Sequence, residues 1–236
     1  RGKRRNRIGR GEGEKGTGAR GVVPGRAAVV GLVVPETVPP VTREELEEML
    51  PMSYPERAAK VLSKYLDDYD AEGLLAALDA AYSKFEGDPA PLVKIDDGIY
   101  ILELWHGPTC AFKDMALTVL PYLLRKGCDI CGIKETILIL VATSGDTGKA
   151  ALEGFKDADG IKIMVFYPDD GVSKMQKLQM CTQEGGNVNV VAVKGNFDDC
   201  QTAVKEIFSN EEYAKVLKDK NVILSSANSI NFGRLA

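Results

Sequence analysis

Thr136-Ile-Leu-Ile-Leu-Val-Ala142-Thr-Ser-Gly-Asp-Thr-Gly148-Lys-Ala-Ala-Leu-Glu-Gly-Phe155 is the stretch that decides the fold. Its first seven residues are an apolar run of strand length, rich in isoleucine and leucine. Such a run reads as a strand buried on both faces. Small and hydroxyl-bearing residues follow it, and then a helical pattern over 147–155. Working toward the C-terminus, the same alternation recurs. A strand is predicted over 162–167, a helix over 174–182, a strand over Val188–Val193, a helix over 198–208 and a strand over 222–225. Strands alternating with helices of this length form right-handed βαβ units and a parallel sheet, here of four strands. Ligands of such sheets bind beyond the carboxyl ends of the strands. The loops after Ala142, Tyr167, Val193 and Ser225 are therefore the places to look for chemistry.

Working toward the N-terminus, a helix is predicted over 115–125. Two short strands, 92–95 and 100–104, flank Asp96-Asp97-Gly98 as a hairpin. Asp88-Pro89-Ala90-Pro91 breaks the chain ahead of it. Apolar residues at helical spacing predict helices over 54–66 and 71–85. Thr42 and Glu45 form a capping box for a helix over 43–50. The expected class is α/β: an N-terminal helical region with a short hairpin, then a βαβ domain with a parallel four-stranded sheet. Residues 32–96 read as the mainly helical N-terminal domain and 97–236 as the catalytic region. Residues 1–31 carry nine Lys or Arg against two Glu and are rich in glycine. They show no periodicity and read as a disordered or non-native basic tail. That tail lacks the aromatic residues that stack on bases, so no nucleic-acid partner is expected.

The chain of 236 residues is 44% hydrophobic and 27% charged, enough apolar material for a sizeable core. The longest apolar run is strand-sized, far short of a membrane-spanning helix, and no membrane partner is expected. The basic, glycine-rich start lacks the compact apolar segment of a secretory signal. Five cysteines, an odd number, argue for a reducing compartment, and a cytoplasmic location is expected. Cys128 and Cys131 form a lone C-x-x-C with no second ligand pair. His106 is the single histidine, which removes any two-histidine metal site. No metal is expected.

Four short motifs carry the candidate chemistry. The first is His106-Gly-Pro-Thr-Cys-Ala-Phe-Lys113-Asp114. A nucleophilic lysine is activated where a helix start, or partial burial beside an aromatic ring, disfavours the ammonium form, and Lys113 falls at such a place. An ordinary surface lysine is the bland alternative. His106 reads as a residue that orients the loop, or one that sits near a cofactor. The second motif is Thr143-Ser144-Gly145-Asp146-Thr147-Gly148, between strand and helix. Small residues admit an anion to the helix N-terminus, and the hydroxyls of Thr143, Ser144 and Thr147 add donors. A capped helix start with nothing bound is the alternative. A P-loop fails on spacing, since Thr143 and Ala150 stand where that motif needs Gly and Ser or Thr. The third motif is Ser225-Ser-Ala-Asn228-Ser229-Ile-Asn231-Phe-Gly-Arg234, where amides, hydroxyls and an arginine follow a strand. Arginine suits bidentate capture of phosphate. The fourth, from Gly171 to Met180, has Ser173 as N-cap of a helix.

In this order, H-G-P-T-x-A-F-K-D, T-S-G-D-T-G, G-V-S-x-x-Q-x-x-Q-M and S-A-N-S-I-N-x-x-R-L resemble the threonine synthases. These belong to the tryptophan-synthase-β-like, fold type II group of pyridoxal-phosphate enzymes. The resemblance runs from about Leu32 to Ala236. It implies that pyridoxal 5'-phosphate is the cofactor and that Lys113 carries it. It places Asp146 near the cofactor's phenolic oxygen, where relatives have asparagine. It assigns Ser144, Gly145 and Thr147 to the substrate carboxylate, and Asn228, Ser229, Asn231 and Arg234 to the substrate phosphate. The implied reaction is conversion of O-phospho-L-homoserine and water to L-threonine and phosphate, the last step of threonine biosynthesis. The glycine-rich loop for the cofactor phosphate and the hydroxyl facing the pyridine nitrogen are expected beyond Ala236. The sequence thus reads as the N-terminal half of a fold type II enzyme, inactive alone. A related phospho-lyase or amino-acid dehydratase is the nearest alternative, and a nucleotide-binding module or a non-catalytic fragment a more distant one.

Overall fold

The computed structural model describes residues 6–8, 18–23, 33–35, 37–227 and 232–235. Strand β1 (Asn6–Ile8) pairs antiparallel with β2 (Val33–Pro35), and helix α1 (Gly18–Val22) lies between them in sequence. These elements differ from the expectation of a structureless tail over 1–31. Ala19, Val22 and Val23 are buried, and the Ala19 amide donates to the Asp68 carboxylate at 2.9 Å. One helical turn is too short to show a period in the sequence. Its order comes from packing against a distant helix, α6 below.

Helices α2 (Arg43–Met49) and α3 (Tyr54–Leu62) each start in a capping box, Thr42 with Glu45 and Ser53 with Glu56. These reciprocal bonds satisfy amides that a helix start leaves open. Helix α4 (Ala71–Tyr82) is capped by Asp70, whose carboxylate accepts from the Gly73 amide at 2.6 Å. It ends three residues earlier than expected. Strands β3 (Leu92–Asp96) and β4 (Ile99–Leu102) form the antiparallel hairpin, exposed along both strands.

The helix expected over 115–125 is two helices, α5 (Asp114–Leu117) and α6 (Leu120–Cys131). Pro121 is the reason. It has no N–H to give the Leu117 carbonyl four residues earlier, and its ring crowds that carbonyl. Strands β5 (Thr136–Ala142), β6 (Ile161–Pro168), β7 (Val188–Val193) and β8 (Val222–Ser226) form one parallel sheet in the order β7-β6-β5-β8. Helices α7 (Asp146–Phe155) and α8 (Lys174–Cys181) connect β5 to β6 and β6 to β7. Helix α9 (Phe197–Ser209) and the unforeseen α10 (Glu211–Asp219) bring the chain back across to β8. None of the residues of α10 is buried, although Tyr213, Val216 and Leu217 stand at helical spacing behind the Asn210 cap. Direction reverses between β5 and β8, which makes the gap at their carboxyl ends the switch point where ligands of such sheets bind.

One contact ties the two halves of this arrangement together. A Cβ placed on Gly154 of α7 would overlap the Leu117 carbonyl of α5. The carbonyl that Pro121 leaves unbonded is thus the one that α7 touches, backbone to backbone. Gly154→Ala raises helix propensity by about 1 kcal/mol, but overpacking such a contact costs about 1–3 kcal/mol. Chemical unfolding of the full-length protein is expected to show a net loss of stability. A gain equal to the propensity term would show that the helices separate freely.

Candidate active site

Residues 103–113 leave the hairpin and fold around a single buried carboxylate. Asp114, the first residue of α5, accepts from the Thr109 amide at 2.8 Å and the Thr109 hydroxyl at 2.6 Å. Cys110 takes a left-handed φ of 56°, and its amide donates to the Gly107 carbonyl at 3.0 Å. His106 holds the start of the loop. Its Nε2 lies 2.6 Å from Glu103, its ring stacks on Trp105, and its carbonyl accepts from the Glu86 amide at 3.0 Å. This is the loop-orienting role read from the sequence.

Lys113 comes off the end of this loop, just before α5, and its side chain does not cap that helix. It crosses instead to the start of α7, where Nζ donates to Asp146 Oδ2 at 2.7 Å. The Phe112 ring centroid lies 4.4 Å from the same nitrogen. The lysine side chain is 16% exposed and the carboxylate 46%, so the amine is the sheltered end of the pair. The structure therefore brings Lys113 and Asp146 together, although 33 residues separate them in the chain.

The 143–148 loop is partly satisfied from within. The buried Thr143 hydroxyl accepts from the Gly145 amide at 3.0 Å and the Gly148 amide at 2.9 Å. It caps α7 and is not the free donor that the sequence suggested. Asp146 Oδ1 accepts from the Thr147 amide at 3.0 Å. Gly145 has φ 152° and ψ −103°, a conformation open chiefly to glycine, and the Gln176 amide of α8 fills the space beside it. The fourth motif thus buttresses the second. Ser144 is exposed and Thr147 half-buried at the rim. Asn228, Ser229 and Asn231 lie outside the described residues.

Arg234 sits on a 3₁₀ turn, Phe232–Leu235, that packs against both α3 and α5. That turn borders a cavity of about 480 Å³ whose lining includes Tyr54, Arg57, Leu102, Phe112, Lys113 and Arg234. Tyr54 and Arg57 escaped the sequence reading. They come from α3, whose periodicity marks a packed helix and says nothing of what its exposed end faces. Burial pushes the Tyr54 hydroxyl up, so it stays a neutral hydrogen-bonding group.

The profile of the pyridoxal-phosphate dependent enzymes matches residues 85–229, more than half of the chain. The chain belongs to that family. A second profile, the threonine synthase N terminus, matches residues 9–82 and so reaches into the first 31 residues. The threonine synthase of Pseudomonas aeruginosa is 38% identical over 213 residues, covering 89% of this chain and 44% of that protein. The Escherichia coli threonine synthase is 37% identical over 217 residues, 92% of this chain and 48% of its own length. A pyridoxal-phosphate-bound threonine synthase from Brucella melitensis superposes with a TM-score of 0.85 at 35% identity, over 98% of this chain and 49% of that one. The chain spans about half the length of the curated relatives it matches.

The site fits the cofactor of this family. It offers one amine, held between an aromatic face and a carboxylate, at the edge of a cavity of ligand size. Lys113 is the residue that would hold pyridoxal phosphate, and Asp146 the side chain beside it.

Burial pushes the Asp114 carboxyl above its usual range, against the pull of the bonds from Thr109. A carboxyl raised in the folded state favours folding at acid pH, and that contribution is lost as pH rises through the folded value. Asp114→Asn removes the titration. The difference in unfolding free energy between variant and wild type is expected to move toward the variant as pH rises from below the ordinary carboxylate range to neutrality. Urea unfolding of full-length protein across pH reads this, and parallel curves would contradict it.

Proposed function

We propose that the protein is a threonine synthase, converting O-phospho-L-homoserine and water into L-threonine and phosphate. The observation that carries this reading is the meeting of Lys113 with Asp146 beside a cavity lined by Arg234. The similarity to threonine synthases along nearly the whole chain supports it.

Bound pyridoxal phosphate supplies an electron sink, so that a proton can leave the carbon bearing the substrate's amino group. Lys113 carries the proton traffic. Its Nζ takes the proton from that carbon and, by further transfers, helps expel the phosphate and complete the addition of water. Asp146 holds the amine in place between those transfers through the 2.7 Å bond. Ser144, Gly145 and Thr147 bind the substrate carboxylate at the start of α7, where the helix dipole favours an anion and the Ser144 and Thr147 hydroxyls stand at the rim. Binding there frees the Thr147 amide from Asp146. Arg234 takes the substrate phosphate, and Asn228, Ser229 and Asn231 are its proposed companions. Holding both ends of the substrate fixes the reacting carbons at Lys113, a positioning effect. Five free thiols suit a reducing compartment, and we place the protein in the cytoplasm.

Full-length protein reconstituted with pyridoxal phosphate is expected to release one phosphate per threonine formed from O-phospho-L-homoserine. Lys113→Ala is expected to abolish this turnover with little change in far-ultraviolet circular dichroism. Formation of 2-oxobutanoate from threonine, with no activity on the phosphorylated substrate, would assign the protein to the dehydratases instead.

A further inference from the structure

Arg57 has no part in the roles assigned above, yet it shares the cavity with Lys113 and Arg234. It stands one turn into α3, far from the catalytic segments in sequence. Its Nε makes only a long bond of 3.4 Å to the Ser53 carbonyl, and its guanidinium lies 5.9 Å from the Tyr54 ring centroid. Neither Arg57 nor Arg234 pairs with a carboxylate among the described residues, whereas Arg43 and Arg125 do. The 3₁₀ turn bearing Arg234 packs against both α3 and α5, so Arg57 and Arg234 line one cavity together with Lys113. The rest of the wall is mostly apolar, including Leu102, Leu104, Phe112, Met115 and Ala116. Both arginines are exposed, so each guanidinium can meet an anion that enters the cavity from solvent. Guanidinium groups are matched to phosphate in geometry, each offering two parallel donors.

Resting on the functional reading above, we propose that Arg57 is a second arginine of the substrate-phosphate subsite, a specificity residue supplied by the N-terminal helical region. It shares the cavity lining with Arg234, and the two hold the leaving phosphate. The same chemistry would suit the cofactor's phosphate, and the test separates the two sources.

The experiment uses full-length protein with cofactor bound and compares wild type, R57A, R57Q and the distant control R43A. R57A is expected to raise KM for O-phospho-L-homoserine about tenfold or more, in line with loss of a charge-assisted bond, with a much smaller change in kcat. The inhibition constant of inorganic phosphate rises in parallel. Affinity for L-threonine, which lacks a phosphate, and for pyridoxal phosphate stays at the wild-type value, and R43A behaves as wild type. R57Q keeps most of the side chain, removes the charge and gives the same result should R57A fail to fold. Unchanged KM and phosphate inhibition in the variants overturn the proposal, as does a loss confined to pyridoxal phosphate. If wild type makes no threonine, the functional reading falls, and calorimetry with inorganic phosphate still decides Arg57. Weaker binding by R57A than by wild type upholds the site. Equal binding, or none to wild type, removes it.

Discussion

The site depends on the crossing of α5 and α7 at Gly154. Lys113 immediately precedes α5, and Asp146 opens α7, so the angle and spacing of these helices set the distance between amine and carboxylate. Backbone contact at the Leu117 carbonyl leaves that spacing almost no slack, because close-packed interiors have few ways to yield. Pro121 cannot donate to that carbonyl, and Gly154, which has no Cβ, lets α7 approach it. A proline and a glycine 33 residues apart thus impose a constraint that neither helix would meet alone.

Around this crossing the site gathers groups from separate parts of the chain. The lysine arrives on a loop folded about Asp114, and the 143–148 loop on the end of β5 at the switch point of the sheet. The cationic cavity draws on α3 and on the turn at Arg234. The helical N-terminal region therefore lines the same cavity as Lys113 and is a packing partner as well. Tyr82 makes the same link in the core, donating to the Met115 carbonyl at 3.1 Å.

Much of this was legible in the sequence, for local reasons. Strands Thr136–Ala142 and Val188–Val193 were read to the residue, because each is a continuous β-forming run between polar or glycine-containing segments. Lys113 and Asp146 were singled out by short motifs, and the fold brought them within hydrogen-bond distance. Most of the misses depend on contacts that no local pattern encodes. Helix α1 is a single turn ordered by distant packing. Helix α10 is the exception, since its Asn210 cap and the spacing of Tyr213, Val216 and Leu217 are local signals. The break after Leu117 required weighing Pro121 against an otherwise helical period. The Thr143 hydroxyl looked available to a ligand until its two amide partners were visible. Arg57 carried no motif at all, and only the cavity shows what it faces.

The central claim is that Lys113 is the residue that holds the cofactor. Borohydride reduction of the full-length protein with pyridoxal phosphate, followed by digestion and peptide mass mapping, tests it most directly. The account predicts the cofactor mass on the peptide containing Lys113 and on no other. Attachment to any other lysine, with Lys113 unmodified, would contradict it.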